Sequence, residues 1–162
     1  MTTLAEQIVE RGTQAGIVIA TAESCTGGMI AAAITDIAGS SAVFDRGFVT
    51  YSNEAKAEML AVPIEHTNNP GAVSALVAKE MVAGALKNSN ANLAVSVTGI
   101  AGPGGGNDLK PVGLVFMAVQ RKGQEPKITE LRFNESHGAT DRAIIRQLTV
   151  EAALEALLKE LD

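Results

Sequence analysis

Apolar and polar positions change period several times along the chain, and each change marks an element. From Leu4 to Gln14 the apolar residues Leu4, Ile8 and Val9 fall at helical spacing and Gly16 follows as a C-cap, which predicts a first helix. Ile17 to Ala20 is a continuous apolar run of strand length. Met29 to Ile37 predicts a helix packed closely through its alanines and stopped by Gly39-Ser40-Ser41. Val43 to Tyr51 alternates loosely as a second strand, and Asn53 to Leu60 reads as a short helix capped by Ser52 or Asn53 and closed before Pro63. After Gly71-Ala72-Val73-Ser74, Leu76, Val77, Met81 and Leu86 supply one face of a longer helix reaching Asn88. Leu93 to Val97, Gly113 to Gln120 and Lys127 to Phe133 read as three further strands. The last helix, from Thr140, carries Val150, Leu154, Leu157, Leu158 and Leu161 on one face.

Helices and strands alternating in this order predict an α/β fold, a three-layer α/β/α sandwich with a mixed, mostly parallel sheet. The last strands follow one another without a helix, so one antiparallel member is expected. The length of 162 residues suits a single domain spanning residues 1–162. Composition narrows the picture further. The chain is 46% apolar and 19% charged, as in folded globular proteins, and no stretch approaches a membrane span. The first residues, MTTLAEQIVERG, carry acids and no basic, then apolar, signal pattern, so the expected location is cytoplasmic. A net charge of −5, no tryptophan and one tyrosine give neither a basic stripe nor a stacking platform, which argues against nucleic acid as a partner. A small anion remains compatible with that charge, because helix N-termini bind anions through backbone N–H groups.

With one cysteine, Cys25, no internal disulfide can form, and no Cys and His set stands at zinc-ligand spacing; neither metal nor cofactor is expected. Two segments at predicted strand ends are rich in chemistry. The first, Ser24 to Gly28 within TAESCTGG, places hydroxyls just before a helix N-terminus that could stabilise an oxyanion, or else is an ordinary N-cap with glycines for a tight turn. The second, Thr98 to Gly106, contains GIAGPGGG, which matches neither the phosphate-loop nor the dinucleotide fingerprint; it lines a ligand or simply connects two strands. Lys56 falls in the first turn of its helix, where a cation opposes the dipole. If buried, it becomes a general base; if solvated, it pairs with Glu54 or Glu58. Tyr51 could relay a proton or be a core tyrosine. Cys25 is a thiol nucleophile or a small buried hydrophobe, and neither His66 nor His137 is marked as its partner. Glu23, Asp36 and Asp45 form a metal site only if folding gathers them.

Taken together, TAESCTGG, GFVTYSNEAK, GAVS and SVTGIAGPGGG followed by KPVG resemble the C-terminal domain of CinA proteins, found also as a stand-alone nicotinamide-nucleotide amidase. The resemblance extends from about residue 4 to residue 158 and is closest to the stand-alone form, without the large N-terminal domain of longer members. It implies a deamidase that converts nicotinamide mononucleotide and water to nicotinate mononucleotide and ammonia in pyridine-nucleotide recycling, with no metal. It also implies Ser24 as nucleophile, Lys56 as its base and Tyr51 as an assisting group, with backbone N–H groups of Thr26, Gly27 and Gly28 as the oxyanion hole. Thr98, Gly99, Gly102, Gly104 and Gly105 would line the nucleotide site, and Arg46 and Asn53 would contact its phosphate or ribose. Family members often show Gly-Asp-Arg before the last helix and a second arginine four residues on. Here Gly138-Ala139-Thr140-Asp141-Arg142 precedes Arg146, so both arginines stand as candidates for an anionic substrate. The alternative from another class is a nucleotide- or partner-binding module with little turnover, and hydrolysis of another small amide is a third reading. The apolar face of the last helix and the alanine-rich helix after Gly28 suggest a homodimer or higher homo-oligomer.

Overall fold

The structure, a computed structural model, describes all 162 residues. Helix α1 (Leu4–Ala15) opens with a capping box, in which Thr3 and Glu6 satisfy each other's backbone N–H groups, and ends at Gly16 with φ 65°. Strand β1 (Ile19–Glu23) leads to α2 (Met29–Thr35), and β2 (Phe44–Val49) to α3 (Asn53–Leu60), which Ser52 caps through the Ala55 N–H. A single turn, α4 (Ile64–His66), precedes α5 (Ala75–Lys87), capped by Ser74. Strands β3 (Leu93–Gly99), β4 (Leu114–Arg121) and β5 (Lys127–Arg132) follow, then the short α6 (Phe133–Ser136) and α7 (Arg142–Lys159), capped by Asp141.

The five strands form one sheet in the order β2-β1-β3-β4-β5. β1 pairs in parallel with β2 and β3, and β4 is antiparallel to both its neighbours, so β4 alone runs against the rest. The fold class read from the pattern is therefore the fold observed. One boundary moved in a way that matters. The strand expected over Ile17 to Ala20 begins at Ile19 and runs on to Glu23, because β2 and β3 pair with it on both sides as far as Val49 and Val97. The first three residues of the TAESCTGG segment are thus strand, and Ser24 to Gly28 is the turn.

Alternation within β3 sorts the two cores. Leu93, Val95 and Val97 face α1, α2 and α7 in a cluster of 20 buried residues, while Ala94, with Ala20, Ala22 and Ala118, faces α5 in one of 14. Small strand residues on the second side let α5 sit close to the sheet: Ser96 Oγ reaches the Ala78 carbonyl at 2.6 Å. The close approach continues between α5 and the end of α3, where a Cβ on Gly84 would stand 2.2 Å from the Leu60 carbonyl oxygen. The apolar face of α7 (Leu154, Leu157) and Ile30 and Ile34 of α2 lie inside the first cluster. Val150 and Leu158 of the same α7 face, and Leu161 just after it, are only partly buried. No helix is long and apolar enough to cross a membrane.

Candidate active site

β1 lies between β2 and β3, and the chain reverses its direction of travel across the sheet there, from β1 out to β2 and back past β1 to β3. In open α/β sheets such a reversal leaves a crevice beyond the carboxyl ends of the strands. Here a cavity of ≈ 210 Å³ opens at that place, lined by Ser24 and Cys25 after β1, Tyr51, Asn53 and Lys56 after β2, Ala72 and Val73 before α5, Thr98 and Gly99 at the end of β3 with Ala101 after it, and Arg142 at the start of α7.

Lys56 is 1% exposed although it is a lysine, and its position is set by three oxygens. Its Nζ lies 2.9 Å from Ser24 Oγ, 2.8 Å from the Thr50 carbonyl and 3.4 Å from that of Tyr51. No carboxylate is among these partners, and burial pushes its pKa below the usual value. A neutral amine has two N–H groups and one lone pair. In the neutral form the two carbonyls can accept the N–H groups and leave the lone pair to accept from the Ser24 hydroxyl, an arrangement that would suit a base and its nucleophile. The solvated reading, with Glu54 or Glu58 as partner, is excluded by the burial.

Cys25, beside Ser24, is 5% exposed, and burial pushes its thiol up to about 11. It stays protonated near neutral pH and has no histidine to activate it, so it lines the pocket as a small apolar group.

The helix N-terminus after the turn already holds an anion of the chain's own. Glu23, fully buried, accepts from Thr26 Oγ1 at 2.7 Å, Thr21 Oγ1 at 3.2 Å, and the N–H groups of Gly28, Ile30 and Ala31 at 3.2, 2.9 and 3.0 Å. The Gly27 N–H donates to the Ser24 carbonyl at 3.1 Å. This corrects the expected oxyanion hole: the Gly27 and Gly28 donors are engaged within the chain. The N–H groups of Cys25 and Thr26, in contrast, donate to no oxygen of the protein. Sequence reasoning missed the role of Glu23 because a residue expected in a loop proved to be the last of a strand, aimed at the next helix. Glu23 is not gathered with Asp36 and Asp45: Asp36 ends α2, and Asp45 pairs with Arg46 and the Asn90 N–H.

Of the residues expected at the substrate, Asn53, Thr98 and Gly99 line the cavity with Ser24, Lys56 and Tyr51. Thr98 also ties the segment before α5 to β3 through a 2.8 Å bond to the Ala72 carbonyl. Tyr51 is 61% exposed at the rim, and its hydroxyl accepts from Arg142 Nη2 at 2.9 Å. Gly102 lies behind Arg142, whose Nη1 donates to its carbonyl at 2.8 Å, and Gly104 and Gly105 are exposed outside the cavity lining. Gly102 serves packing: with φ 81°, it faces Val112, which a Cβ would meet at 2.6 Å. Two expectations are corrected by position. Arg46 stands near the start of β2, toward the opposite end of the strands from the cavity, with Asp45 and the Asn88 carbonyl. Arg146 Nε and Nη2 donate to the carbonyls of Cys25 and Thr26 at 3.0 and 3.1 Å, behind the turn, whereas Arg142 is the arginine in the cavity wall. Arg142 was legible only as one of two candidates, and Ala72, Val73 and Ala101 only as parts of the GAVS and glycine-loop segments.

The profile of the CinA C-terminal domain matches residues 1–161. The chain belongs to that family. Over 115 residues, 71% of this chain and 70% of the relative, it is 57% identical to the nicotinamide-nucleotide amidohydrolase PncC of Escherichia coli (strain K12). Over 146 residues, 90% of the chain, it is 51% identical to a CinA-like protein of Geotalea daltonii. This CinA C-terminal domain spans between 34% and 37% of the length of the longer curated relatives it matches. Its fold superposes on the crystal structure of the competence/damage inducible protein CihA of Agrobacterium tumefaciens with a TM-score of 0.91 and 51% identity, covering 96% of this chain and 92% of that one.

Proposed function

We propose that this CinA C-terminal domain is an amidohydrolase acting on nicotinamide mononucleotide through a serine–lysine acyl-enzyme. The observation that carries the reading is the buried lysine, held by two carbonyls, 2.9 Å from a serine hydroxyl in a cavity at the sheet's switch point. The relative named nicotinamide-nucleotide amidohydrolase supplies the substrate.

Ser24 Oγ attacks the carboxamide carbon while its proton passes to Lys56 Nζ. The carbonyl oxygen becomes an oxyanion beside the free N–H groups of Cys25 and Thr26; preorganised donors of this kind contribute on the order of 3–4 kcal/mol each. Collapse breaks the C–N bond, and Lys56 gives its proton to the departing nitrogen, releasing ammonia. Water then attacks the nicotinoyl ester with Lys56 again as base, and nicotinate mononucleotide leaves with Ser24 restored. Arg142 and Asn53 stand in the wall where a phosphate or ribose would need donors. Tyr51, held at the rim by Arg142, offers a ring face to the cationic pyridinium.

The test is ammonia release from nicotinamide mononucleotide by the purified chain and by Ser24→Ala, with intact-mass detection of the acyl adduct. Serine-dependent release supports the amidase. Binding of the nucleotide without release identifies a binding module instead, and release from other carboxamides but not this one points to a different small amide.

A further inference from the structure

We infer that Arg146 is a positioning residue that aims the Thr26 N–H at the reacting carbonyl oxygen, an inference that rests on the amidase reading above. In a trans peptide the carbonyl of one residue and the N–H of the next lie in one plane and point in opposite directions. The Cys25 carbonyl and the Thr26 N–H share such a plane. Arg146 Nε, 3.0 Å from the Cys25 oxygen, therefore turns the Thr26 N–H away from α7. The second arm, Nη2, takes the next carbonyl, that of Thr26, at 3.1 Å, so the fork fixes two successive peptide planes at once. From the other side Glu23 grips the Thr26 hydroxyl and the Gly28 N–H. Thr26 is thus held at its carbonyl and its side chain, and only its N–H is left without an acceptor.

The helix that carries the fork is itself anchored. Ile145 and Thr149, on either side of Arg146 in α7, are fully buried. The turn passes close over the guanidinium: a Cβ on Gly27, where φ is 59°, would stand 3.5 Å from Nη2. A lysine here would keep the positive charge but not the planar fork that sets the angles of the two peptide planes, which separates orientation of the turn from its mere neutralisation.

The experiment compares the parent full-length chain, Arg146→Lys and Arg146→Ala by three readouts. The first is the rate at which a fluorophosphonate labels Ser24, followed by intact mass, because the phosphoryl oxygen of that adduct takes the oxyanion position. The second is kcat and KM for nicotinamide mononucleotide, and the third is rescue of Arg146→Ala by added guanidine at millimolar concentration. In Arg146→Lys the labelling rate and kcat are expected to fall about 10–100-fold, short of the 10²–10³ that loss of a donor costs, with KM changed less than about threefold. Guanidine restores part of the Arg146→Ala rate. Labelling and kcat within about twofold of the parent in Arg146→Lys would overturn the proposal, as would losses that follow only the fraction unfolded in a thermal melt. A parent chain that is labelled at Ser24 yet releases no ammonia removes the amidase reading, and the labelling arm still decides the role of Arg146.

Discussion

Two strand ends one position apart in the sheet each bury an ionisable side chain, and they treat it in opposite ways. At the end of β1, Glu23 is met by five donors, three of them the N–H groups that open α2. At the end of β2, Lys56 is met by two carbonyls and a hydroxyl, with no counter-charge, near the N-terminal end of α3, where the helix dipole disfavours a cation. A carboxylate surrounded by donors is satisfied and fixes the turn that follows it. An amine buried without a counter-charge is driven toward its neutral form, and a neutral amine beside a hydroxyl can act as its base. Burial alone does not distinguish these two sites; the kind of partner does.

The largest expected effect is on chemistry at the lysine. Lys56→Met removes the base while keeping an unbranched chain of similar length, and the rate of ammonia release is expected to fall about 10²–10⁴-fold. Its melting temperature should fall less than that of Glu23→Gln. Retained turnover in that variant breaks the contrast. Next comes the carboxylate. Glu23→Gln presents an NH₂ to donors that need an acceptor, with an expected loss of about 3–5 kcal/mol in unfolding free energy by denaturant titration. For a chain of this size that corresponds to roughly 10 °C or more in melting temperature. A variant as stable as the parent would mean that the five donors find other acceptors.

The pH dependence sharpens the comparison through Lys56. Below the lowered pKa of Lys56 the ammonium form cannot accept the serine proton, so kcat/KM should fall by about tenfold per pH unit on the acid side. Stability follows the same group. Between its lowered folded value and the usual 10.5, the unfolded chain holds a proton that the folded chain has released, so stability rises with pH across that window. Denaturant titrations at stepped pH should show this rise in the parent and a flatter profile in Lys56→Met. The smallest effect is at Thr50, whose carbonyl holds Lys56 while its buried hydroxyl has no partner. Thr50→Val should leave activity intact and shift stability by less than about 0.5 kcal/mol, since the group removed forms no bond. A larger loss would show that this hydroxyl takes part in holding the amine.

Much of this site was legible along the chain. The strand-to-helix placement of Ser24, the helix bearing Lys56 and the glycine-rich end of β3 follow from local period and turn chemistry. Resemblance to the CinA C-terminal domain added the pairing of serine with lysine. Distant partners were not legible. Lys56 and Ser24 are 32 residues apart, and a solvated lysine is ruled out only because α3 brings Nζ to the Ser24 hydroxyl just beyond the carboxyl end of β1. Arg46 looked equivalent to any other arginine near the motif, yet its place at the start of β2 puts it at the opposite end of the strands from the cavity. Arg142 and Arg146, one helical turn apart, could not be told apart by spacing, because a single turn of α7 separates the pocket wall from the back of the nucleophile turn.

By itself the sequence determined the layers, the one reversed strand and the positions where chemistry could occur, since these depend on interactions within a few residues and on the alternation of faces. Tertiary structure alone decided which charges are satisfied. Glu23 became a clamp and Lys56 a buried amine without a counter-charge because the partners around a buried group depend on chain segments brought together from far apart, and no local pattern records them.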